Sequence, residues 1–296
     1  MEAERILEEK CRNNPDYLVL TGSKLYGTSI STSDDDFRGF LLPAYEYLIG
    51  IKKFKSRDFK DKDYKIHNIE KFLKLVIKGS PGETEILFAP EKNIIKCSDI
   101  GKKILSLKRY LISNAIYGRI MGYSTGEWRK SMGTKAIIEK RTQTEDGVIN
   151  DIRNIFHPDK ENMDGIIKIL YANREIKIVS STAGLGVKRK KDIELYGFCR
   201  KSAAHSIRLM TQLTELLLTG DILFPRPNAN FLLDVRNGKY SKEELQEIHD
   251  KVENQAKEAR NKSILPDKPN EKKIWEEYKK IVVNSLKSDK RFLDFY

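Results

Sequence analysis

The pattern of apolar and polar positions changes character about a third of the way along the chain. Residues 3–13 place Ile6, Leu7 and Cys11 on one side of a short helix. YLVL at 17–20 is a compact apolar run that meets Thr21-Gly22-Ser23, which predicts a buried strand entering a tight turn. DFRGFLL at 36–42 is a second extended run, closed by Pro43, and DYKIH at 63–67 reads as a third. The stretch that follows has apolar residues at 69, 72, 73, 76 and 77, the helical period, and ends at Gly79. Strand, turn, strand, strand and helix in so short a span predict a small α/β or α+β module. From residue 101 onward helical periodicity dominates, over 101–120, 161–178, 196–219, 241–262 and 270–288, with GDILFPRPN at 220–228 as a break. The stretch 123–157 gives no clear pattern. The expected organisation is an α/β lobe over 1–100 and a mostly helical lobe over 101–296.

Composition narrows the class. Of the 296 residues 39% are apolar and 33% charged, a balance too rich in large apolar side chains for a disordered chain. No apolar run approaches the ~20 residues of a membrane span, so no membrane partner is expected. The first residues, MEAERILEEKC, are acidic and amphipathic and lack a secretory pattern, which points to the cytosol. Cys11, Cys97 and Cys199 are scattered and form no C-x-x-C pair, so they read as reduced thiols rather than a disulfide framework or zinc site. The net charge of +12 fits an anionic partner, and equally a lysine-rich composition with no such partner.

Two features carry chemistry. Asp34 and Asp36 stand at i and i+2, and on a strand this spacing turns both carboxylates to one face. Mg²⁺ takes oxygen ligands, commonly one or two carboxylates completed by phosphate oxygens and water. Upstream, Gly22-Ser23 follows the first strand at a turn. Glycine lets a phosphate approach the backbone, and the serine hydroxyl and amide groups can bind its oxygens.

The stretch Gly22-Ser23-Lys24-Leu25-Tyr26-Gly27, followed by Ser33-Asp34-Asp35-Asp36-Phe37-Arg38-Gly39, resembles the signature of DNA polymerase beta type nucleotidyltransferases. That signature is a Gly-Ser pair, a spacer of about ten residues and an Asp-x-Asp. The Tyr-Gly and Arg-Gly that flank it resemble one branch more narrowly, the predicted nucleotidyltransferases associated with RNA ligases and RNA repair. The resemblance implies an α+β fold in which a small mixed sheet with helices is followed by a mostly helical lobe that closes over the nucleotide and acceptor. It implies Mg²⁺ or Mn²⁺ held by Asp34 and Asp36, a nucleoside triphosphate as substrate, and a third carboxylate on a neighbouring strand. Asp63 is the first candidate for that carboxylate; Asp58, Asp61 and Glu85 compete with it.

A second block, residues 197–228, places Lys201, His205, Arg208 and Gln212 on one helical face by their spacings of four, three and four. This Lys-x-x-x-His-x-x-Arg-Leu pattern, with Thr-Gly and Pro-Arg-Pro-Asn after it, is similar to the C-terminal half of the same branch. The resemblance implies that Lys201 and Arg208 meet a triphosphate or polynucleotide, with His205 a further binding candidate. The basic run at 187–191 fits either a phosphate-tracking segment or a plain surface loop, and Trp128 either core packing or base stacking. The expected activity is transfer of a nucleoside monophosphate to a hydroxyl, on RNA or another polynucleotide end, with an RNA ligase as a partner by resemblance only. Two alternatives stand beside it: a protein or small-molecule acceptor, and a non-catalytic nucleic-acid-binding module.

Overall fold

The structure, a computed structural model, describes residues 2–59, 63–140, 174–180 and 185–293. The first part of the chain builds a mixed sheet. Its strands are β1 (Tyr17–Leu20), β2 (Phe37–Leu41), β3 (Ser56–Phe59), β4 (Tyr64–Asn68) and β5 (Ile94–Cys97), in spatial order β3-β4-β2-β1-β5. β1 lies antiparallel to both β2 and β5. β2 and β4 are parallel, because the chain leaves β2, runs to the edge strand β3 and turns back antiparallel into β4.

Period-two alternation assigns the two faces of the sheet. Tyr17, Val19 and Phe40 face a core that takes Ile69, Phe72, Leu73 and Val76 from the helix after β4 (Ile69–Ile77). The rings of Phe40 and Phe72 lie 4.5 Å apart. Leu18, Leu41 and Ile66 face the other way, against Leu7 and Cys11 of α1 (Glu2–Asn13). Burying each such side chain contributes about 1.5–3 kcal/mol, so a helix on either face fixes the register of the strands between them.

In chain order the helices continue as α2 (Gly22–Tyr26), α3 (Tyr45–Leu48), α4 (Ile69–Ile77), α5 (Pro81–Glu85), α6 (Asp99–Leu105), α7 (Lys108–Leu111) and α8 (Ile116–Ser131). After them come α9 (Val187–Tyr196), α10 (Arg200–Thr219), α11 (Ala229–Arg236), α12 (Lys242–Asn261), α13 (Glu271–Ser288) and α14 (Lys290–Leu293). The fold is thus α+β, a small mixed sheet with helices followed by a mostly helical region.

Some expected elements differ. The single helix expected over 101–120 is three, α6, α7 and the start of α8. The helix expected over 196–219 begins at Arg200, because Gly197 sits at φ 76 and ends α9. Of the helix expected over 161–178, residues 161–173 lie outside the described residues and 174–178 belong to a strand. That strand, β7 (Arg174–Ser180), has Ile176 and Ile178 on either side of Lys177 and pairs antiparallel with β6 (Thr134–Lys140). The chain forms two compact units, Met1–Thr125 with Ala204–Tyr296, and Gly126–Ala203. The first unit holds the five-stranded sheet together with most of the C-terminal helices. In the second, Phe198 and Cys199 are buried and Ser131 bonds to the Cys199 carbonyl at 3.0 Å. Among the described residues no helix is long and apolar enough to cross a membrane.

Candidate active site

The site begins where β1 ends. Thr21 gives its amide (2.7 Å) and its hydroxyl (3.1 Å) to the carbonyl of Asp36, which fastens the bend to the start of β2. Gly22 follows at φ +63 and opens α2. A Cβ at Gly22 would lie 2.8 Å from Asp36 Cγ and overlap Oδ2, so the Asp36 carboxylate rests directly against this glycine. Glycine is required on two counts, for the left-handed backbone and for the room. Asp34 is exposed and Asp36 half-buried, while Asp35 between them pairs with Lys24 on α2.

Both aspartates stand just ahead of β2 rather than within it, a correction to the expected strand-borne pair. The ladder begins at Leu20 opposite Phe37, and one step earlier β1 has already bent into α2. Beside them, Phe37 donates its amide to the carbonyl of Asp63 at 2.9 Å, and Phe37 is paired with Tyr64 in the parallel ladder. Asp63 is therefore the lateral neighbour of Asp36 at the same end of the adjacent strand. It is exposed and has φ 43, a region that few residues other than glycine adopt. Of its rivals, Asp58 pairs with Lys65 at 3.4 Å, and Asp61 lies outside the described residues.

Glu85 is buried and serves a different purpose. It accepts from the Tyr26 hydroxyl at 2.6 Å and from Arg208 Nη1 at 2.6 Å. The Arg208 guanidinium lies 3.7 Å over the Tyr26 ring and also bonds Gln212. Burial pushes the Tyr26 phenol up, outweighing the nearby Arg208 charge. The four-residue face expected on α10 is thus split. Lys201 and His205 are exposed, whereas Arg208 and Gln212 are buried because this part of α10 enters the core beside Leu209 and Leu213. In this arrangement the charge of Arg208 is met by Glu85 rather than offered to a triphosphate. Further along, Arg226 donates its amide to the Tyr26 carbonyl (3.0 Å), and Arg236 its guanidinium to the Thr28 carbonyl (2.7 Å). Gly27, at φ 74, leaves room for Pro225, which a Cβ would meet at 2.7 Å. The residues that end α2 are therefore gripped from α10, from the Pro225-Arg226 turn and from α11.

A second buried acid, Glu83, lies under β2. It accepts from Arg38 (3.1 Å), His67 Nε2 (3.1 Å) and the Ser80 hydroxyl. Burial alone would raise its pKa; the hydrogen bonds from His67 and Ser80 and the charge of Arg38 outweigh that and hold it at about 2.

A profile of the RNA repair pathway DNA polymerase beta family matches residues 7–284. The chain belongs to that family. It is also 26% identical over 292 residues to the "Uncharacterized 38.9 kDa protein in nrdC-mobD intergenic region" of Enterobacteria phage T4, an alignment covering 80% of this chain and 87% of the relative. No solved structure matches the chain significantly.

For a member of the RNA repair pathway DNA polymerase beta family, the donor set suits a divalent cation. Asp34, Asp36 and Asp63 suit it by donor type alone, as hard carboxylate oxygens; their oxygens do not converge, and among the described residues the one cluster of three potential ligand side chains with ligand atoms within 4.8 Å of one another is His249, Asp250 and Glu253. Sequence reasoning missed Glu83, His67 and Ser80 as part of this surrounding and read Glu85 only as a possible ligand. One signal was present in glycine spacing. Gly39 admits the Tyr17 carbonyl and Gly82 admits the Arg38 guanidinium, so each marks a close approach around β2. Trp128 is buried at 8% exposure, which favours packing over base stacking. The basic run forms the first turns of α9, with Lys188, Lys190 and Lys191 exposed.

Proposed function

We propose that this chain transfers a nucleoside monophosphate from a nucleoside triphosphate to a hydroxyl at the end of an RNA or other polynucleotide, with release of pyrophosphate. The observation that carries this reading is the Asp36 carboxylate lying against Gly22 at the Gly-Ser bend, with Asp63 beside it on the next strand. Family membership supports the same class of reaction. Asp34, Asp36 and Asp63 would hold Mg²⁺ or Mn²⁺, which supplies positive charge for the reacting phosphates. Ser23 and the amides around it bind outer phosphate oxygens. Asp63, exposed beside Asp36, accepts the incoming hydroxyl's proton as the new phosphorus–oxygen bond forms and the bond to pyrophosphate breaks. Arg208 acts at a distance, by holding Tyr26 and hence α2. Lys201 and His205 add exposed groups suited to an anionic acceptor.

Incubation with each of four labelled nucleoside triphosphates, Mg²⁺ or Mn²⁺ and total cellular RNA, followed by gel separation, tests the reading. Label should enter RNA with the wild type. Asp34→Ala and Asp36→Ala should each lose about 100-fold or more of that activity, the scale expected when charge stabilisation at a reacting phosphate is removed, while unfolding at the wild-type temperature. Full activity in either variant would overturn the assignment. Labelling of a protein in place of RNA would move the acceptor to a side chain.

A further inference from the structure

Arg38 differs from the other arginines around the site. Arg208 and Arg226 are committed: their side chains are 7% and 3% exposed and bonded to Glu85 with Gln212, and to Glu215 with the Leu223 carbonyl. The Arg38 side chain is 41% exposed, and among the described residues its one hydrogen-bond partner is Glu83, through Nη1 at 3.1 Å. A guanidinium carries five N–H donors in a fixed fork, so among the described residues most of its donors have no hydrogen-bond partner. The anchored edge is firmly placed. The guanidinium lies across Gly82, where a Cβ would sit 2.8 Å from Nη1 and 3.1 Å from Cζ. Glu83 is itself fixed by His67 and Ser80. Since an ionised carboxylate only accepts, His67 Nε2 is the donor in that bond.

Position completes the argument. Arg38 is two residues beyond Asp36, and Phe40, two further, points into the core beneath α4. Alternation therefore puts Arg38 on the helix-covered face, about 7 Å along the chain from Asp36. A half-open, pre-oriented fork beside a carboxylate pair is suited to bidentate contact with a phosphate. We propose that Arg38 binds a phosphate group of the substrate, and that Glu83, with His67 and Ser80, is the positioning group that aims it. The proposal rests on the transfer reading for its purpose but not for its test. The phosphate belongs either to the nucleoside triphosphate or to the acceptor end, and the two are separable by measurement.

The experiment is equilibrium binding of ATP, GTP, CTP and UTP, each with Mg²⁺, and of a 5′-phosphorylated single-stranded RNA, by calorimetry, on the wild type, Arg38→Ala, Arg38→Lys and Glu83→Gln, with KM and kcat for both substrates wherever turnover is seen. Losing one charge-assisted contact should weaken binding of one ligand class about 10- to 100-fold, with the other unchanged. Arg38→Lys should recover part of the loss, and Glu83→Gln should weaken the same class less. Where there is turnover, the effect should fall on the KM of that class more than on kcat. Because Glu83→Gln disturbs a buried group, Arg38→Ala carries the decision if that variant fails to fold. Wild-type affinity for both classes in Arg38→Ala, or no binding of either by the wild type, overturns the proposal. Arg38-dependent binding without any transfer overturns the transfer reading and leaves the arginine's role standing.

Discussion

At the scale of single residues, the site is an arrangement of charges that need one another. Glu83 is buried, yet it is held ionised by His67, Ser80 and Arg38 against the burial that would neutralise it. A carboxyl whose folded pKa of about 2 lies below its unfolded value favours the folded state above that unfolded value, and the benefit disappears as pH falls through the folded one. The window runs from the ordinary carboxylate range near 4.5 down to about 2, and the shift corresponds to about 3 kcal/mol. Denaturant unfolding followed from pH 6 to pH 2 should show wild-type stability falling through that window, and Glu83→Gln falling by less. Equal slopes would mean that Glu83 gains nothing from its partners. The Gly22-Ser23 bend and the i, i+2 pair Asp34 and Asp36 stand out in the sequence because residue type and spacing express them directly, whereas Asp63 is the first of four candidates that the resemblance leaves open. Glu83 and His67 were not legible, since a lone acid in a helix and a lone histidine in a strand look alike whether solvated or buried, and their pairing spans 16 residues.

Among elements, legibility followed patterning. β1, β2, β4, α4, α12 and α13 show clear periodicity and stand within a residue or two of where that periodicity puts them. β3 was hidden in the charged stretch SRDF because it is an edge strand, paired on one side by β4, and edges tolerate charge. The short α2 is held less by its own five residues than by what grips its end: Glu85 and Arg208 on Tyr26, Arg226 on the Tyr26 carbonyl, Arg236 on the Thr28 carbonyl. Arg236→Ala removes one such bond, 2.7 Å long and from a charged donor. It should lower stability by about 1.5–3 kcal/mol and raise the KM for nucleoside triphosphate several-fold, with kcat changed less. Thermal unfolding with steady-state kinetics measures both; an unchanged KM would separate α11 from nucleotide binding.

Across the whole molecule, part of the basic surplus behind the +12 charge is the run at 187–191, which the structure puts on α9. The run from Lys188 to Lys191 lies on a helix with no buried residue, which leaves its positive side chains free to follow a phosphate chain. Binding of single-stranded RNA should weaken as salt rises, and the slope of log K against log salt should flatten by about 1.4 in Lys188→Glu/Lys191→Glu, at about 0.7 per lost phosphate contact. A slope equal to that of the wild type would leave α9 outside the contact. The middle of the chain resisted sequence reading because β6 and β7 pair across a separation of up to 46 residues, Thr134 with Ser180, which no local window contains.

The grip on α2 also has an order in time. The carbonyls of Tyr26 and Thr28 find their partners only at positions 226 and 236, some 200 residues further on. During synthesis the bend can form early, but these two clasps wait for residues 226 and 236. Both bonds can close only after residue 236 has been made.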